Sequence, residues 1–179
     1  MEKVAVLDSG GQYCHLIVRK VRELGVYAEI LPIGVSPKKL RKYNGVIISG
    51  GPASVFEPAS PRPQEALYDL DRPILGICYG HQLMGQYMGG VVEPGETHEF
   101  GRADLRIKHP ASLFRDLLRR QRVWMSHGDH VAKLPVGFLT LADTRECPVA
   151  AMGDLKRKYF GLQFHPEVVH TSYGSDILW

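Results

Sequence analysis

Short apolar runs alternate with helical patterns in the first half of the chain. Four runs, rich in β-branched residues and bounded by turn residues, are typical of buried parallel strands: residues 3–7, 27–31, 45–49 and 73–77. A helix is predicted over residues 13–24, ending at Gly25, with Leu16, Ile17, Val21 and Leu24 on its apolar face. A shorter helix is predicted to begin at Ser36-Pro37, a capping residue followed by a proline. This alternation predicts an α/β fold with a mostly parallel sheet.

The second half of the chain has a different pattern. Residues 103–108 alternate between polar and apolar, as a half-exposed antiparallel strand does. A short helix follows at residues 112–118, and further strands are predicted over residues 123–125, 138–142, 149–152 and 159–164. No linker or internal repeat divides the sequence. We therefore expect one domain over residues 1–179, with a central, mostly parallel sheet flanked by helices and additional antiparallel strands in the second half.

Composition excludes several classes of protein. The chain has 179 residues, with 22 Lys and Arg against 19 Asp and Glu, and a net charge of +3 gives no basis for nucleic-acid binding. No apolar stretch approaches the ~18 residues of a membrane helix, and the first residues do not have the pattern of a signal peptide. Three widely spaced cysteines are a poor disulfide framework. We expect a cytoplasmic protein that binds neither nucleic acid nor membrane.

The strongest chemical signal surrounds Cys78. A buried strand ends at this residue, a helix begins almost at once, and Gly76 and Gly80 flank it. This pattern is the cysteine version of the nucleophile elbow, whose sharp turn leaves no room for neighbouring Cβ atoms. A thiol at a helix amino terminus is favoured as thiolate. The backbone N–H of Tyr79 is expected to point to the place where an oxyanion forms.

A nucleophilic cysteine needs a base and a group that orients the base. His165 and Glu167 are separated by one residue, so in extended chain their side chains project to the same side. Pro166 restricts the backbone between them. We expect His165 to take the proton of Cys78 and Glu167 to accept a hydrogen bond from the other ring nitrogen. The pair lies far from the cysteine in sequence, so only the fold brings them together.

A glycine pair after the third predicted strand presents free N–H groups at the carboxyl edge of the sheet, where α/β sites are found. Gly51 is expected to supply the second oxyanion donor. A phosphate cradle is the alternative, but Pro52 removes one N–H and no P-loop motif occurs. Two pairs, Cys78 with His81 and His127 with His130, have metal-like spacing but lack further ligands, so we expect no metal.

These three motifs together resemble the triad (class I) glutamine amidotransferases, in the family's order and approximate spacing. The matching stretches are residues 49–52 (SGGP), 76–82 (GICYGHQ) and 164–167 (FHPE). Within that family, three further stretches look like the glutaminase part of GMP synthetases: residues 7–13 (LDSGGQY), 123–129 (VWMSHGD) and 168–171 (VVHT). The resemblance covers essentially the whole chain and implies the flavodoxin-like fold of the family.

The resemblance implies a role for each matching residue. Cys78 forms a γ-glutamyl thioester with L-glutamine, while His165 and Glu167 complete the triad. Gly51 and Tyr79 hold the oxyanion through their backbone N–H groups. The substrate-binding residues implied by the resemblance are Gln82, Ser126, His127 and Gly128. His170 and Thr171, which follow the triad closely, are candidates for an interface with a partner.

The same resemblance implies a partner. Ammonia from glutamine passes to an ATP pyrophosphatase domain or subunit, which aminates XMP to GMP and holds ATP and Mg²⁺; this chain itself needs no cofactor. The chain is expected to be either a free-standing glutaminase subunit or part of a longer polypeptide, and to have low glutaminase activity until the partner docks. Other hypotheses remain open: a γ-glutamyl hydrolase or peptidase, a glutaminase for anthranilate or aminodeoxychorismate synthesis, a non-catalytic module, and a flavodoxin-like nucleotide-binding protein.

Overall fold

One mixed sheet runs through the part of the chain that the structure describes. The computed structural model describes residues 2–110 and 112–179. Nine strands lie in the order β2-β1-β3-β4-β9-β8-β7-β5-β6. Those on the parallel side are β1 (Lys3–Asp8), β2 (Tyr27–Pro32), β3 (Gly45–Ile48), β4 (Ile74–Ile77) and β9 (Tyr159–Leu162). Most apolar residues of β1, β3, β4 and β9 are buried because helices cover this half of the sheet, whereas the edge strand β2 is largely half-buried.

Four antiparallel strands extend the same sheet. They are β5 (Val91–Ile107), β6 (Arg120–Lys133), β7 (Leu139–Asp143) and β8 (Ala151–Asp154). The predicted α/β fold class is confirmed, although the antiparallel share of the sheet is larger than the sequence indicated. Strand β5 was predicted only at its end, because Pro94, Gly95 and Gly101 interrupt the apolar alternation before residue 103. Its pairing with β6 is irregular between Pro94 and Glu99.

The described helices are α1 (Cys14–Glu23), α2 (Pro37–Leu40), α3 (Tyr79–Tyr87) and α4 (Gly174–Leu178), with 3₁₀ turns at Glu65–Leu67 and Ser112–Phe114. Helix α1 buries Cys14, Ile17, Val18 and Val21. The predicted apolar face was therefore wrong at Leu16, which is exposed because at 3.6 residues per turn it points away from the face that these four residues share. The predicted helix over residues 112–118 is only a 3₁₀ turn. No helix in the described part of the chain has the length and apolarity needed to cross a membrane.

The sheet topology determines where the catalytic candidates meet. Strand β4, which leads to Cys78, pairs in parallel with β9, which leads to His165, and Ile77 is opposite Leu162. Because parallel strands end at the same edge of a sheet, the residues that follow β4 and β9 come together there. Strand β3, which leads to Gly50 and Gly51, lies on the other side of β4.

Candidate active site

Cys78 occupies a strained turn between β4 and α3. Its φ of 51° lies in the left-handed region, which is uncommon for a residue with a side chain. A Cβ at Gly76 would lie 2.4 Å from the Gly80 carbonyl oxygen, and one at Gly80 would lie 2.3 Å from the Ile48 oxygen. The flanking glycines are therefore required by close backbone contact. The Cys78 N–H donates to the Leu162 carbonyl oxygen at 2.7 Å, which ties the turn to β9.

His165 and Glu167 form a buried pair beside Cys78. The imidazole Nδ1 lies 2.7 Å from Oε1 of Glu167, and the two side chains are 7% and 0% exposed. A Cβ built on Gly50 would lie 3.0 Å from His165 Cε1 and 3.4 Å from Cys78 Cβ, so the imidazole and the cysteine border the same point. The Cys78 thiol also donates to the Ser126 carbonyl oxygen at 3.5 Å. The structure thus brings the three predicted triad residues together.

The surroundings of His165 favour the imidazolium form. Burial lowers the pKa of His165, but hydrogen bonds with Cys78 and Glu167 and their charges more than offset burial and raise that pKa to about 10. An imidazolium is the natural counter-ion of a thiolate. The site is therefore suited to nucleophilic attack by sulfur and to proton delivery by His165.

Two residues that the sequence did not link to catalysis support the His165 backbone. Its N–H donates to the Trp124 carbonyl oxygen at 3.0 Å, and its carbonyl oxygen accepts from the Thr171 hydroxyl at 2.6 Å. That hydroxyl also accepts from the Trp124 N–H at 3.1 Å. The ring of Tyr13 contacts the imidazole edge-on, with centroids 5.4 Å apart. These contacts hold both the backbone and the imidazole ring of His165 in place.

The loop after β3 lies directly beside the catalytic pair. A Cβ at Gly51 would lie 2.5 Å from the Ser9 carbonyl oxygen, so this glycine is pressed against the loop after β1. The Ser49 hydroxyl accepts from the Ser9 N–H at 3.0 Å and donates to the Gly50 carbonyl oxygen at 3.1 Å. Within the described residues, the N–H groups of Gly51 and Tyr79 have no recorded acceptor. Gly51 lines the pocket over Cys78, and the assignment of both N–H groups as oxyanion donors stays a prediction.

A pocket of about 610 Å³ opens over Cys78, which is within the size range of small-molecule sites. Most of the predicted catalytic and substrate-binding residues line it, namely Gly51, Cys78, Gln82, Ser126, His127, Gly128 and His165. Glu167 lies behind His165 and is not part of the pocket wall. Asp129 is the one carboxylate among the described lining residues, and the sequence analysis missed it. The sequence signal for Asp129 was its position at the end of residues 126–129 (SHGD), directly after the predicted substrate-binding residues.

The side chains of the predicted substrate-binding residues are held mainly by protein contacts. The Gln82 amide donates to the Asp129 carbonyl oxygen at 2.7 Å and to Gln163 Oε1 at 3.3 Å. His127 places Nδ1 3.0 Å from that same carbonyl and Nε2 3.1 Å from Glu99 Oε2. Both ring nitrogens of His127 are thus engaged, which leaves its backbone and ring face to line the pocket.

The two candidate interface residues, His170 and Thr171, differ in exposure. Thr171 is buried, at 5% exposure, and its hydroxyl supports His165, so within this chain it does not present a side chain to a partner. His170 is exposed and lies against Trp124, with ring centroids 4.6 Å apart. The interface prediction therefore applies to the surface at His170, whereas Thr171 lies beneath it.

One group of potential metal ligands occurs near the pocket. Ligand atoms of Glu99, His127 and Cys147 lie within 4.8 Å of one another. Both nitrogens of His127 already have protein partners, and burial raises the pKa of the Cys147 thiol to about 12, far from the thiolate that metals bind. His81, the other candidate, is fully buried, and burial lowers its pKa to about 3. The absence of a resident metal stays a prediction.

A cysteine at a nucleophile elbow, a buried histidine–glutamate pair and two free N–H groups define the triad glutamine amidotransferase class. The sequence matches the family model "Glutamine amidotransferase class-I" over residues 5–179, and the chain belongs to this family. The family predicted from the three motifs is confirmed.

Individual relatives make the assignment more specific. The chain is 49% identical over 179 residues to "GMP synthase [glutamine-hydrolyzing]" of Bacillus subtilis and 48% identical over 182 residues to that of Acinetobacter baylyi. Each match covers 99% of this chain but only 35% and 33% of the relative, so the chain spans about a third of their length. The predicted likeness to GMP synthetases within the family is confirmed.

Solved structures agree with this relationship. A candidate GMP synthase subunit of Thermoplasma acidophilum superposes with a TM-score of 0.91 at 34% identity, over 99% of this chain and 90% of that one. A glutamine amidotransferase of Thermotoga maritima superposes at 0.73 and 23% identity, over 93% of this chain and 76% of that one. The second likeness concerns the fold alone.

Proposed function

We propose that residues 1–179 form one glutaminase domain that hydrolyses the side-chain amide of L-glutamine and supplies the ammonia to a synthetase partner. The observation that carries this proposal is the buried His165–Glu167 pair beside Cys78, at the base of a pocket lined by the family's substrate-binding positions. Family membership supports the same reaction class.

In the proposed mechanism, the Cys78 sulfur attacks the carboxamide carbon of glutamine. The oxyanion that forms is held by the N–H groups of Gly51 and Tyr79. As the carbon–nitrogen bond breaks, His165 gives its proton to the leaving nitrogen, and ammonia departs. His165 then takes a proton from water, which attacks the thioester carbon and releases glutamate and Cys78. Glu167 orients the imidazole and stabilises its charged form.

In the free protein the Cys78 sulfur lies 3.5 Å from the Ser126 carbonyl oxygen. Catalytic hydrogen bonds are often poorly aligned before substrate binds and tighten in the complex. We therefore expect bound glutamine to compete for this part of the pocket and to turn the sulfur fully toward His165 and the substrate carbon.

We further propose that the carboxylate of Asp129 binds the α-ammonium group of glutamine. Asp129 lines the pocket, and its Oδ2 accepts from the Ser54 hydroxyl at 2.6 Å, which leaves its other oxygen free for a second donor. The backbones of Ser126, His127 and Gly128 form the adjacent wall. Gln82 contributes by holding the Asp129 carbonyl, because its amide donates there.

The proposed acceptor of the ammonia is an ATP pyrophosphatase domain or subunit that aminates XMP to GMP, with ATP and Mg²⁺ bound there. The names of the relatives and the one-third share of their length that this chain spans support a partner of this kind. Ammonia released to water would be protonated and lose its nucleophilicity, so direct transfer is required. The three free thiols fit a reducing cytoplasm.

The test is the release of glutamate and ammonia from glutamine by the chain with and without its synthetase partner. Cys78→Ala should abolish release, whereas Cys147→Ala, which removes a buried thiol outside the pocket, should retain it. Full activity of Cys78→Ala would refute the proposal. Faster cleavage of γ-glutamyl peptides than of glutamine would favour a γ-glutamyl hydrolase instead. Amination of chorismate rather than XMP by the complex would assign the partner to anthranilate or aminodeoxychorismate synthesis.

A further inference from the structure

The outer face of the β5–β6 ribbon is unusually rich in arginine. Along both strands, buried residues alternate with exposed ones, and the exposed positions share one face of the sheet. We call this set the basic face, and it comprises Arg102, Asp104 and Arg106 on β5 and Arg120, Arg122 and Trp124 on β6. Directly opposite pairs are Arg102 with Trp124, Asp104 with Arg122, and Arg106 with Arg120.

The basic face carries four arginines and one carboxylate, Asp104, so its positive charge is only partly compensated. Arg106 makes a bidentate contact with Asp143, at 2.8 and 3.2 Å. Within the described residues, Arg102, Arg120 and Arg122 have no recorded salt bridge. Like charges directly opposite each other on a sheet are destabilising, and Arg106 faces Arg120 in this way. Asp104 opposite Arg122 and Asp143 beside Arg106 offset part of this charge, whereas Arg102 and Arg120 have no carboxylate opposite them. The remaining positive charge suits an anionic surface that binds here.

The part of the basic face formed by Asp104, Arg106, Arg120 and Arg122 is concave. It forms one wall of a groove of about 780 Å³, and Arg145, Ser172 and Tyr173 line the same groove. At one end of the face lie Trp124 and the exposed His170. A groove with arginines and an aromatic side chain at its edge is suited to recognition of a protein surface, since both residue types are enriched in interfaces.

The backbone beneath this face is joined to the catalytic histidine. The Trp124 carbonyl accepts from the His165 N–H, and the Arg122 carbonyl accepts from the Ser172 N–H at 3.0 Å. Thr171 bridges the Trp124 N–H and the His165 carbonyl. Strand β6 therefore holds the segment from His165 to Ser172 at both ends, and a displacement of β6 changes the position of the imidazole.

We propose that the basic face is the docking surface for an acidic surface of the synthetase partner, and that docking there positions His165 for catalysis. The proposal rests on the proposed function. About two thirds of each GMP synthase relative lies outside the region that this chain matches, which provides a large partner for the face. Ser172 and Tyr173, which line the groove, lead directly into α4, so the groove adjoins the last helix of the matched region.

The test is a charge reversal, Arg120→Glu with Arg122→Glu, in the complex or full-length polypeptide that contains this chain. Lys38→Glu with Lys39→Glu is the matched control, since it makes the same charge change on exposed positions of α2. Three rates are measured for each form: GMP formation with glutamine, GMP formation with ammonium, and glutamine hydrolysis by the chain alone.

We expect the reversal to lower glutamine-dependent GMP formation at least tenfold, with the other two rates and the control variant unchanged. Added salt should lower glutamine-dependent GMP formation by the wild type, because salt screens the contact between charged surfaces. If the reversal variant forms GMP from glutamine as fast as the control variant does, the inference is overturned. The inference would also be wrong if the wild type bound inorganic phosphate or XMP, the reversal variant did not, and glutamine-dependent GMP formation were the same in both. The basic face would then bind a small anion and not a protein surface.

The two proposals fail differently. If the wild-type complex forms GMP with ammonium but neither the chain alone nor the complex hydrolyses glutamine, the glutaminase proposal is wrong, regardless of the result for the arginine variants. If glutamine supports GMP formation in every form, only the docking proposal is wrong. Should the double reversal fold poorly in urea unfolding, Arg120→Gln with Arg122→Gln tests the same point, and it should reduce coupling to an intermediate level.

Discussion

A methyl group at position 50 provides a direct test of the catalytic geometry. In Gly50→Ala, the new Cβ would lie 3.0 Å from His165 Cε1 and 3.4 Å from Cys78 Cβ. The contact with His165 is tighter than ordinary carbon–carbon contacts, which lie at about 3.5–4.0 Å, so the imidazole must move by a few tenths of an ångström. It cannot do so freely, because it is bonded to Glu167 and lies against Tyr13.

The expected cost is in rate rather than in folding. A misplacement of about 1 Å can cost a factor of 10², so for this smaller shift we expect kcat for glutamine hydrolysis to fall about 3- to 10-fold. Gly50 does not lie in the left-handed region, so its backbone accepts alanine. Overpacking of about 1–3 kcal/mol is partly offset by the gain of about 0.4–1 kcal/mol from a less flexible unfolded chain.

The assay measures steady-state glutamate release beside urea unfolding for three variants. Gly34→Ala is the control, because a Cβ there meets nothing within 4 Å, and it should keep wild-type activity. Gly80→Ala should instead lose folding stability, because its Cβ would lie 2.3 Å from the Ile48 carbonyl oxygen. Wild-type activity in Gly50→Ala would refute the proposed proximity of His165 and Cys78.

Three further predictions concern the support of the site. Thr171→Val should lower the free energy of unfolding by about 1–3 kcal/mol in urea titrations, because it leaves the Trp124 N–H and the His165 carbonyl short of a partner; an unchanged midpoint would contradict this. Asp129→Asn should raise KM for glutamine about tenfold or more with little change in kcat, since it removes a charge-assisted hydrogen bond, and equal loss in both constants would argue against ammonium binding. Glu167→Gln should lower the pKa of His165 from about 10, measured by NMR of the imidazole. The pKa of His165 is raised from 6.5 to about 10 in the folded protein, so its stabilising contribution is complete below pH 6.5 and is lost as the pH rises toward 10. In Glu167→Gln this loss should occur at a lower pH.

The positions that carry the chemistry could be predicted because their local patterns are demanding. Gly76 and Gly80 flank Cys78 because a Cβ at either position would collide with a backbone oxygen atom. The sequence reports this requirement directly, as a glycine on each side of the cysteine. His165 and Glu167 flank a proline at a spacing that directs both side chains one way. The parallel pairing of β4 with β9 then brings the two motifs together, and this pairing was not predictable from the chain pattern because β5 to β8 lie between them in sequence.

Other features depend on pairing that no local pattern encodes. Thr171 was expected at an interface, yet its hydroxyl bridges two backbone groups from residues distant in sequence. Asp129 enters the pocket only because β6 continues past Met125, through polar residues that do not alternate with apolar ones. The basic face likewise exists only once β5 and β6 pair in register, since its arginines are dispersed in the sequence.

The most direct test of the central claim is to label the protein with a diazo-ketone analogue of glutamine and to map the modified residue by peptide mass spectrometry. The analogue alkylates the nucleophile that attacks the substrate carbon. We predict modification of Cys78 alone, with slower labelling in Glu167→Gln and protection by glutamine. Labelling of Cys14, which lines the same pocket, or of Cys147, with Cys78 unmodified, would contradict the account.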